Sequence, residues 1–145
     1  VRGAKPERAL ELRATTPHVP ELLTAGEVVV VAASGGPDST ALAALAAVAC
    51  AEAGGSLLLA HVNHELRPGA WQDEAVVLAA GAALGARVVA VSLASGSRAE
   101  ARLRDERYAA LAKIARDARA TRILSAHHAA DQTETVLLAL FRGAG

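Results

Sequence analysis

Val28-Val29-Val30-Val31-Ala32-Ala33-Ser34-Gly35-Gly36-Pro37-Asp38-Ser39-Thr40 changes character twice: a bare apolar run gives way to paired glycines, and these lead into an alanine- and leucine-rich stretch. A run without alternation is what a strand covered on both faces looks like, as in the centre of a parallel sheet. We therefore expect a strand over 27–33, a tight turn, and a helix over 38–53 with Leu42, Leu45, Val48 and Ala49 on one face. Gly35 and Gly36 permit backbone angles, and a closeness of approach to a ligand, that a Cβ would forbid. Pro37 suits the first helical turn, where its missing N–H has no partner to lose. Free N–H groups, the positive end of the helix dipole and the hydroxyls of Ser34, Ser39 and Thr40 are expected to converge on one spot, which suits an anion such as phosphate. Two familiar phosphate loops do not fit. A Walker A loop needs a lysine, and the only lysines are Lys5 and Lys113. The dinucleotide fingerprint needs a third glycine where this chain has Ser39.

Outward from this stretch the pattern repeats. Strands are expected over 56–62, 86–93 and 121–126, with helices over about 70–84, from after Ser97 to near Asp117, and over about 131–141. Gly54-Gly55 and Gly85 supply helix stops. A strand followed by a helix at a beat of roughly 30 residues is the βα repeat of a parallel sheet. The fold class is α/β: a doubly wound, Rossmann-like parallel sheet of at least four strands with helices on both faces. Residues 1–25 read as a leading helix (about 6–15) and linker, broken by Thr16-Pro17-His18-Val19-Pro20, and 26–145 as one domain. The chain begins at Val1 and closes on Arg142-Gly143-Ala144-Gly145, so both ends read as cut.

Composition bounds the function. Hydrophobic residues make up 52% and aromatics 2%, so the core is built from Ala, Val and Leu, and stacking platforms for single-stranded nucleic acid are effectively excluded. The formal net charge is +0, so a self-sufficient nucleic-acid binder is not expected, and such contacts must be local or supplied elsewhere. Cys50 is the only cysteine, which excludes an intrachain disulfide and a thiolate cluster and points to a small buried role within a helix. With no long uncharged apolar stretch and no signal-like start, a soluble cytoplasmic protein is expected.

In open parallel sheets ligands bind outside the carboxyl ends of the strands. Polar residues gather there: His61-Val62-Asn63-His64-Glu65-Leu66-Arg67 after the second strand, with Asp73-Glu74 shortly beyond, and His127-His128-Ala129-Ala130-Asp131-Gln132-Thr133-Glu134 after the fourth. A strand order of 3-2-1-4 would bring both clusters beside the phosphate loop. Asp131-x-x-Glu134 also fits a helix capping box, as does Ser97-x-x-Glu100. A zinc site from His61, His64, His128 and Asp131 is disfavoured, because a His-x-x-His pair leaving a strand seldom aims both rings at one point. The long helix carries Glu100, Arg104, Arg107 and Tyr108. Glu100 and Arg104 can pair at i,i+4 on a solvated face, or the arginines can meet phosphates.

Ser34-Gly-Gly-Pro-Asp-Ser39 after a strand resembles the pyrophosphate loop of the N-type ATP pyrophosphatases. With His61-Val-Asn-His64-x-Leu-Arg67, Glu100-Ala-x-x-Arg104-x-x-Arg107-Tyr108, His128-x-x-Asp131-Gln132-x-Glu134 and Arg142-Gly-x-Gly145, residues 27–145 resemble the tRNA(Ile)-lysidine synthetase family. The resemblance implies an adenine nucleotide alpha hydrolase-like fold that binds ATP and Mg²⁺. It also implies ligation of free lysine to C2 of the wobble cytidine in a CAU-anticodon tRNA(Ile), through an adenylated cytidine, with release of pyrophosphate and then AMP. It implies nucleotide contacts at Ser34, Gly35, Gly36, Pro37, Asp38, Ser39, His61 and Asn63, and Mg²⁺ at Asp38. Catalytic roles fall to Asp38, Arg107, Asp131 and Glu134, and substrate contacts to His64, Arg67, Glu100, Arg104, His128 and Arg142. No membrane is involved, and a homodimer is compatible. The family usually has two adjacent aspartates before the glutamine, where this chain has Ala130-Asp131, and it continues past the Arg-Gly-x-Gly motif with tRNA-binding regions. Two alternatives stay open: another adenylating tRNA-modifying enzyme such as a thiolase, which would need sulfur-transfer cysteines, and a non-catalytic adenine-nucleotide-binding module.

Overall fold

The computed structural model describes residues 23–63, 70–93 and 99–126, without the Glu100 side chain. The helices expected over 6–15 and 131–141 lie outside the described residues. Within them the elements alternate: β1 (Val28–Ala32), α1 (Pro37–Glu52), β2 (Ser56–Asn63), α2 (Ala70–Leu84), β3 (Arg87–Ser92), α3 (Glu100–Asp117) and β4 (Arg122–Ser125). The strands form a four-stranded sheet in the order β3-β2-β1-β4. Every pairing is parallel, with Val28 opposite Ser56, Val29 opposite Arg122 and Leu58 opposite Arg87.

This order explains why β1 is an unbroken valine run. It lies between β2 and β4 with helices over both faces, and Val29, Val30 and Val31 are wholly buried. Val30, Leu58 and Ala60 pack on Leu111, Ile114 and Ala115 of α3. Val31, Ala33 and Leu59 pack on the other face with Ala43 and Ala46 of α1 and Val77 of α2. The chain winds from β1 through β2 to β3 and then returns to the far side of β1. Reversing direction while keeping crossovers right-handed requires α3 to cross the opposite face from α1 and α2.

One local expectation is corrected in part. The face of α1 turned to the sheet is Ser39, Ala43, Ala46, Ala49 and Cys50, while Leu42, Leu45 and Val48 are only half-buried. The helix is apolar nearly all round, so periodicity cannot choose its inner face, and the small side chains win because they let it sit close on the sheet. The long helix starts at Glu100 with Ala99 as its N-cap. Ser97 and the Glu100 side chain, the pair expected to form a capping box, lie outside the described residues.

Each of the three described helices ends by the same device. A residue in left-handed conformation (Gly54, φ 63°; Gly85, φ 65°; Arg119, φ 53°) is followed by an N–H that reaches back to the helix: Gly55 to the Cys50 carbonyl, Ala86 to Gly81 and Ala120 to Ala115. These are Schellman caps, and two of the three were legible as glycines. No helix among the described residues is long and apolar enough to cross a membrane.

Candidate nucleotide-binding site

The loop between β1 and α1 leaves the sheet where the strand order reverses, and is held by its own hydroxyls. The Ser34 N–H donates to Ser39 Oγ at 3.2 Å, and the Ser39 and Thr40 hydroxyls donate to the Gly36 carbonyl at 3.0 and 2.9 Å. The two Ser oxygens lie 3.1 Å apart, and the Gly36 N–H points at Ser34 Oγ at 3.4 Å. The hydroxyls of Ser39 and Thr40 brace the loop, the carbonyl three or four residues back being the nearest acceptor, and Ser39 also lines the cavity described below. Ser34 remains exposed.

Gly36 is the N-cap of α1 and Pro37 its first residue, so Asp38 stands in the first turn and not at the cap. The first-turn N–H groups of Asp38 and Ser39 have no acceptor within the helix, and Pro37 has no N–H to orphan. Gly35 adopts φ 86°, and a Cβ there would stand 2.7 Å from the Asp73 carbonyl oxygen and 2.8 Å from its Cα. The closest approach made by the paired glycines is thus to the first turn of α2.

A cavity of about 580 Å³ opens over the carboxyl ends of β1, β2 and β4. Its walls are Ser34, Gly36, Pro37, Asp38 and Ser39 from the loop and α1, His61 and Asn63 from β2, Asp73 from α2, and Arg107 and Leu111 from α3, with Ala126 just after β4. Its size lies within the range of small-molecule sites. Eight expected residues are therefore gathered around one space: Ser34, Gly36, Pro37, Asp38, Ser39, His61, Asn63 and Arg107, with Gly35 in the same loop. Arg104 lies over the Tyr108 ring, 5.6 Å from its centroid. The expected residues His64, Arg67, His128, Asp131, Glu134 and Arg142, and the Glu100 side chain, lie outside the described residues.

Asp73, noted in the sequence among the polar residues beyond the second strand but given no role, lines the cavity. Its signal was present: a carboxylate in the first turn of the helix that follows the second strand's polar loop. Asp38 and Asp73 offer the hard oxygen donors that suit Mg²⁺, beside a loop that suits phosphate, so the residues present fit a magnesium nucleotide. Among the described residues no group of three or more His, Cys, Asp or Glu is placed to hold a metal ion; of the residues weighed for zinc, His64, His128 and Asp131 lie outside the described residues.

His61 ties β2 to this loop. Its Nδ1 lies 2.8 Å from the Ala33 carbonyl, which can only accept, so Nδ1 carries the hydrogen. At the other end of the sheet Cys50 lines a second cavity beside Gly55 and Ser56. Burial, and then the nearby Glu27 carboxylate, push its thiol pKa up, which keeps it protonated and unreactive.

A phosphate loop at the switch point of a doubly wound parallel sheet, facing a cavity with two carboxylates and an arginine, defines an α/β nucleotide-binding protein. A family profile described as PP-loop domain matches residues 8–145, and the chain belongs to that family, whose fold is an ATP-binding one. The chain is similar to the tRNA(Ile)-lysidine synthases of Thermus thermophilus (43% identical over 121 residues), Bordetella pertussis (48% over 119) and Streptococcus sanguinis (39% over 116). These matches take in 79–80% of this chain but only 23%, 37% and 27% of the relatives, so it spans roughly a quarter to a little over a third of their length. In fold it is similar to the U34-tRNA thiolase NcsA from Methanococcus maripaludis, solved with its 4Fe-4S cluster, with a TM-score of 0.73 at 16% identity over 94% of this chain and 49% of that one.

Proposed function

We propose that the chain is the nucleotide-binding, catalytic part of an enzyme that ligates lysine to the wobble cytidine of a CAU-anticodon tRNA(Ile) at the expense of ATP. One observation carries the reading: the Ser34–Ser39 loop walls a nucleotide-sized cavity with Asp38, Asp73 and Arg107 in a chain 39–48% identical to tRNA(Ile)-lysidine synthases. The loop N–H groups and the α1 dipole hold the β and γ phosphates. Asp38, helped by Asp73, holds Mg²⁺, which when bound neutralises charge on the departing pyrophosphate. Arg107, exposed on the cavity wall, meets negative charge that builds on the α phosphate as the cytidine C2 oxygen attacks it. Asp131 and Glu134 bind the lysine ammonium and take its proton, so that the free amine can attack C2 and expel AMP. His64, Arg67, Glu100, Arg104, His128 and Arg142 contact the tRNA, whose anticodon base is already unpaired. The near-neutral charge leaves most of the tRNA grip to regions that the longer relatives possess.

The thiolase alternative is weaker. The single cysteine is buried in α1, at the opposite end of the sheet from the cavity, and the likeness to the thiolase is one of fold.

The test is transfer of radiolabelled lysine to tRNA(Ile) transcripts, run with this chain and with a protein extended beyond Gly145. Lysine should enter the CAU transcript but not a UAU one, only with ATP and Mg²⁺, and Asp38→Ala should abolish it. ATP binding without lysine transfer by either protein would replace this reading with the non-catalytic nucleotide-binding module.

A further inference from the structure

Two unsatisfied surfaces lie side by side at the edge of the sheet farthest from β4. The first is β3 (Arg87–Ser92), an outer strand whose free side has no partner strand among the described residues. Leu93 donates its N–H to the Asn63 carbonyl of β2, so by alternation Val91, Val89 and Arg87 also turn their peptide groups inward. Val88, Ala90 and Ser92 are left with N–H and C=O groups pointing away from the sheet. Such an edge is a template for another strand, and this one has no proline, no lysine and a single charge, at its first residue.

The second surface is the flank of α2 above that edge. From Ala75 to Ala86 no side chain is polar. Asp73 faces the cavity beside β1, and a Cβ on Gly81 would strike the Val88 side chain of β3, which together fix the rotation of the helix. Trp71, Leu78 and Ala82 then fall beyond Gly81, on the flank away from α1 and toward the free side of β3. Trp71 is 68% exposed and Leu78 49%, and Ala75 and Ala82 are exposed beside them. Ala90 and Ser92, on the same face of the sheet as Val88, are small and exposed, so the space over the edge is open.

Both surfaces are self-complementary. A two-fold axis through Ala90, normal to the sheet, pairs β3 antiparallel with its counterpart in a second copy: Ala90 opposes Ala90 and Val88 opposes Ser92, each pair exchanging two peptide hydrogen bonds. The same axis keeps both α2 helices on one side of the joined sheet. With strands about 4.8 Å apart, helices seated over the outer two strands of each copy stand roughly 14 Å apart, a gap of a size for Trp71 and Leu78 to fill. The flank and edge present roughly 500 Å² per copy, so a pair buries roughly 1,000 Å², the least that a specific interface needs. A net charge of +0 sets no repulsion between the copies. We propose that the β3 edge and the Trp71–Leu78–Ala82 flank of α2 form an isologous dimer interface that joins two copies into one continuous sheet. The homodimer that the sequence left open thereby has a definite face, and the nucleotide cavity, which centres on β1, stays accessible in it.

Sedimentation velocity of the full chain over a range of concentrations should show a monomer–dimer equilibrium with a micromolar dissociation constant, as befits an interface of this size. Leu78→Glu changes an exposed position, and Ala90→Pro removes an outward N–H but no bond to β2. Each should weaken the dimer at least about tenfold while the far-UV spectrum stays unchanged. Should Ala90→Pro unfold, Leu78→Glu and cross-linking carry the test. Ala90→Cys treated with a short bis-maleimide should yield a covalent dimer, because both copies of the residue meet at the axis. Ile123→Cys, exposed on the opposite edge strand, should not, and Cys50 is buried and does not compete. A chain monomeric throughout, a dimer indifferent to both substitutions, or cross-linking at Ile123 rather than Ala90 would overturn the proposal. So would a protein extended beyond Gly145 that is monomeric where this chain is dimeric, since the face would then belong to the added region.

Discussion

Gly35 meets two constraints at once, a left-handed backbone and the backbone of Asp73 under 3 Å from where a Cβ would stand. Gly36 meets neither, since its φ is −78° and the nearest atom to an added Cβ is Ser34 Oγ at 3.5 Å. Gly35→Ala should therefore lower stability by about 2–3 kcal/mol and weaken ATP binding, whereas Gly36→Ala should change stability by less than about 1 kcal/mol. Urea denaturation of both variants separates the cases. Glu27 gives a residue-scale prediction with a pH signature. The Thr24 N–H lowers its pKa, burial opposes, and Arg122, at 3.1 Å, lowers it further, for a net value below the ordinary 4.5. A carboxyl lowered on folding stabilises fully above its unfolded value, and the contribution is lost as pH falls through the folded one. The melting temperature of Glu27→Gln should fall below the wild type near about pH 7, and the gap should close in acid below about pH 4. Some of this scale was legible. Asp38, Ser39 and the glycines could be named because the motif fixes their positions along one short loop. The approach of Asp73 to Gly35 and the acceptor of His61 Nδ1 could not, because both depend on contacts between segments far apart in sequence.

Helix ends and helix faces differ in how plainly sequence marks them. Gly54 and Gly85 announce the ends of α1 and α2, but α3 ends on Arg119 at φ 53°, where composition gives no glycine to read. An L-residue in that conformation is strained, so Arg119→Gly should raise stability by about 0.5–1 kcal/mol, measured as a higher urea midpoint at unchanged slope. Of the α1 face expected from sequence, Ala49 is buried and Leu42 packs on the core while Leu45 and Val48 are half-buried, because alanine, leucine and valine surround the helix and only packing distinguishes them. With Ala46 wholly buried against the sheet, Ala46→Leu should overpack and cost about 1–3 kcal/mol, while Leu45→Ala, on a half-buried face, should cost less. Cys50 belongs to that inner face, and its thiol should react with Ellman's reagent only on unfolding.

The whole molecule follows from the order β3-β2-β1-β4. Once the βα beat is recognised, right-handed crossovers and the reversal at β1 put the phosphate loop, the end of β2 and the start of α2 around one cavity, which is why the fold and half of the site could be read before any coordinates. Less legible was how that cavity is furnished: hydroxyls that brace the loop, a second carboxylate from α2, and a histidine bonded to the carbonyl where the loop begins. In the proposed function this cavity splits ATP between its α and β phosphates on behalf of lysine and tRNA. Incubation of α-labelled ATP with Mg²⁺, free lysine and CAU-anticodon tRNA(Ile), followed by separation of AMP from ADP, addresses it directly. Labelled AMP should form only when lysine and tRNA are both present; labelled ADP would contradict the proposed cleavage.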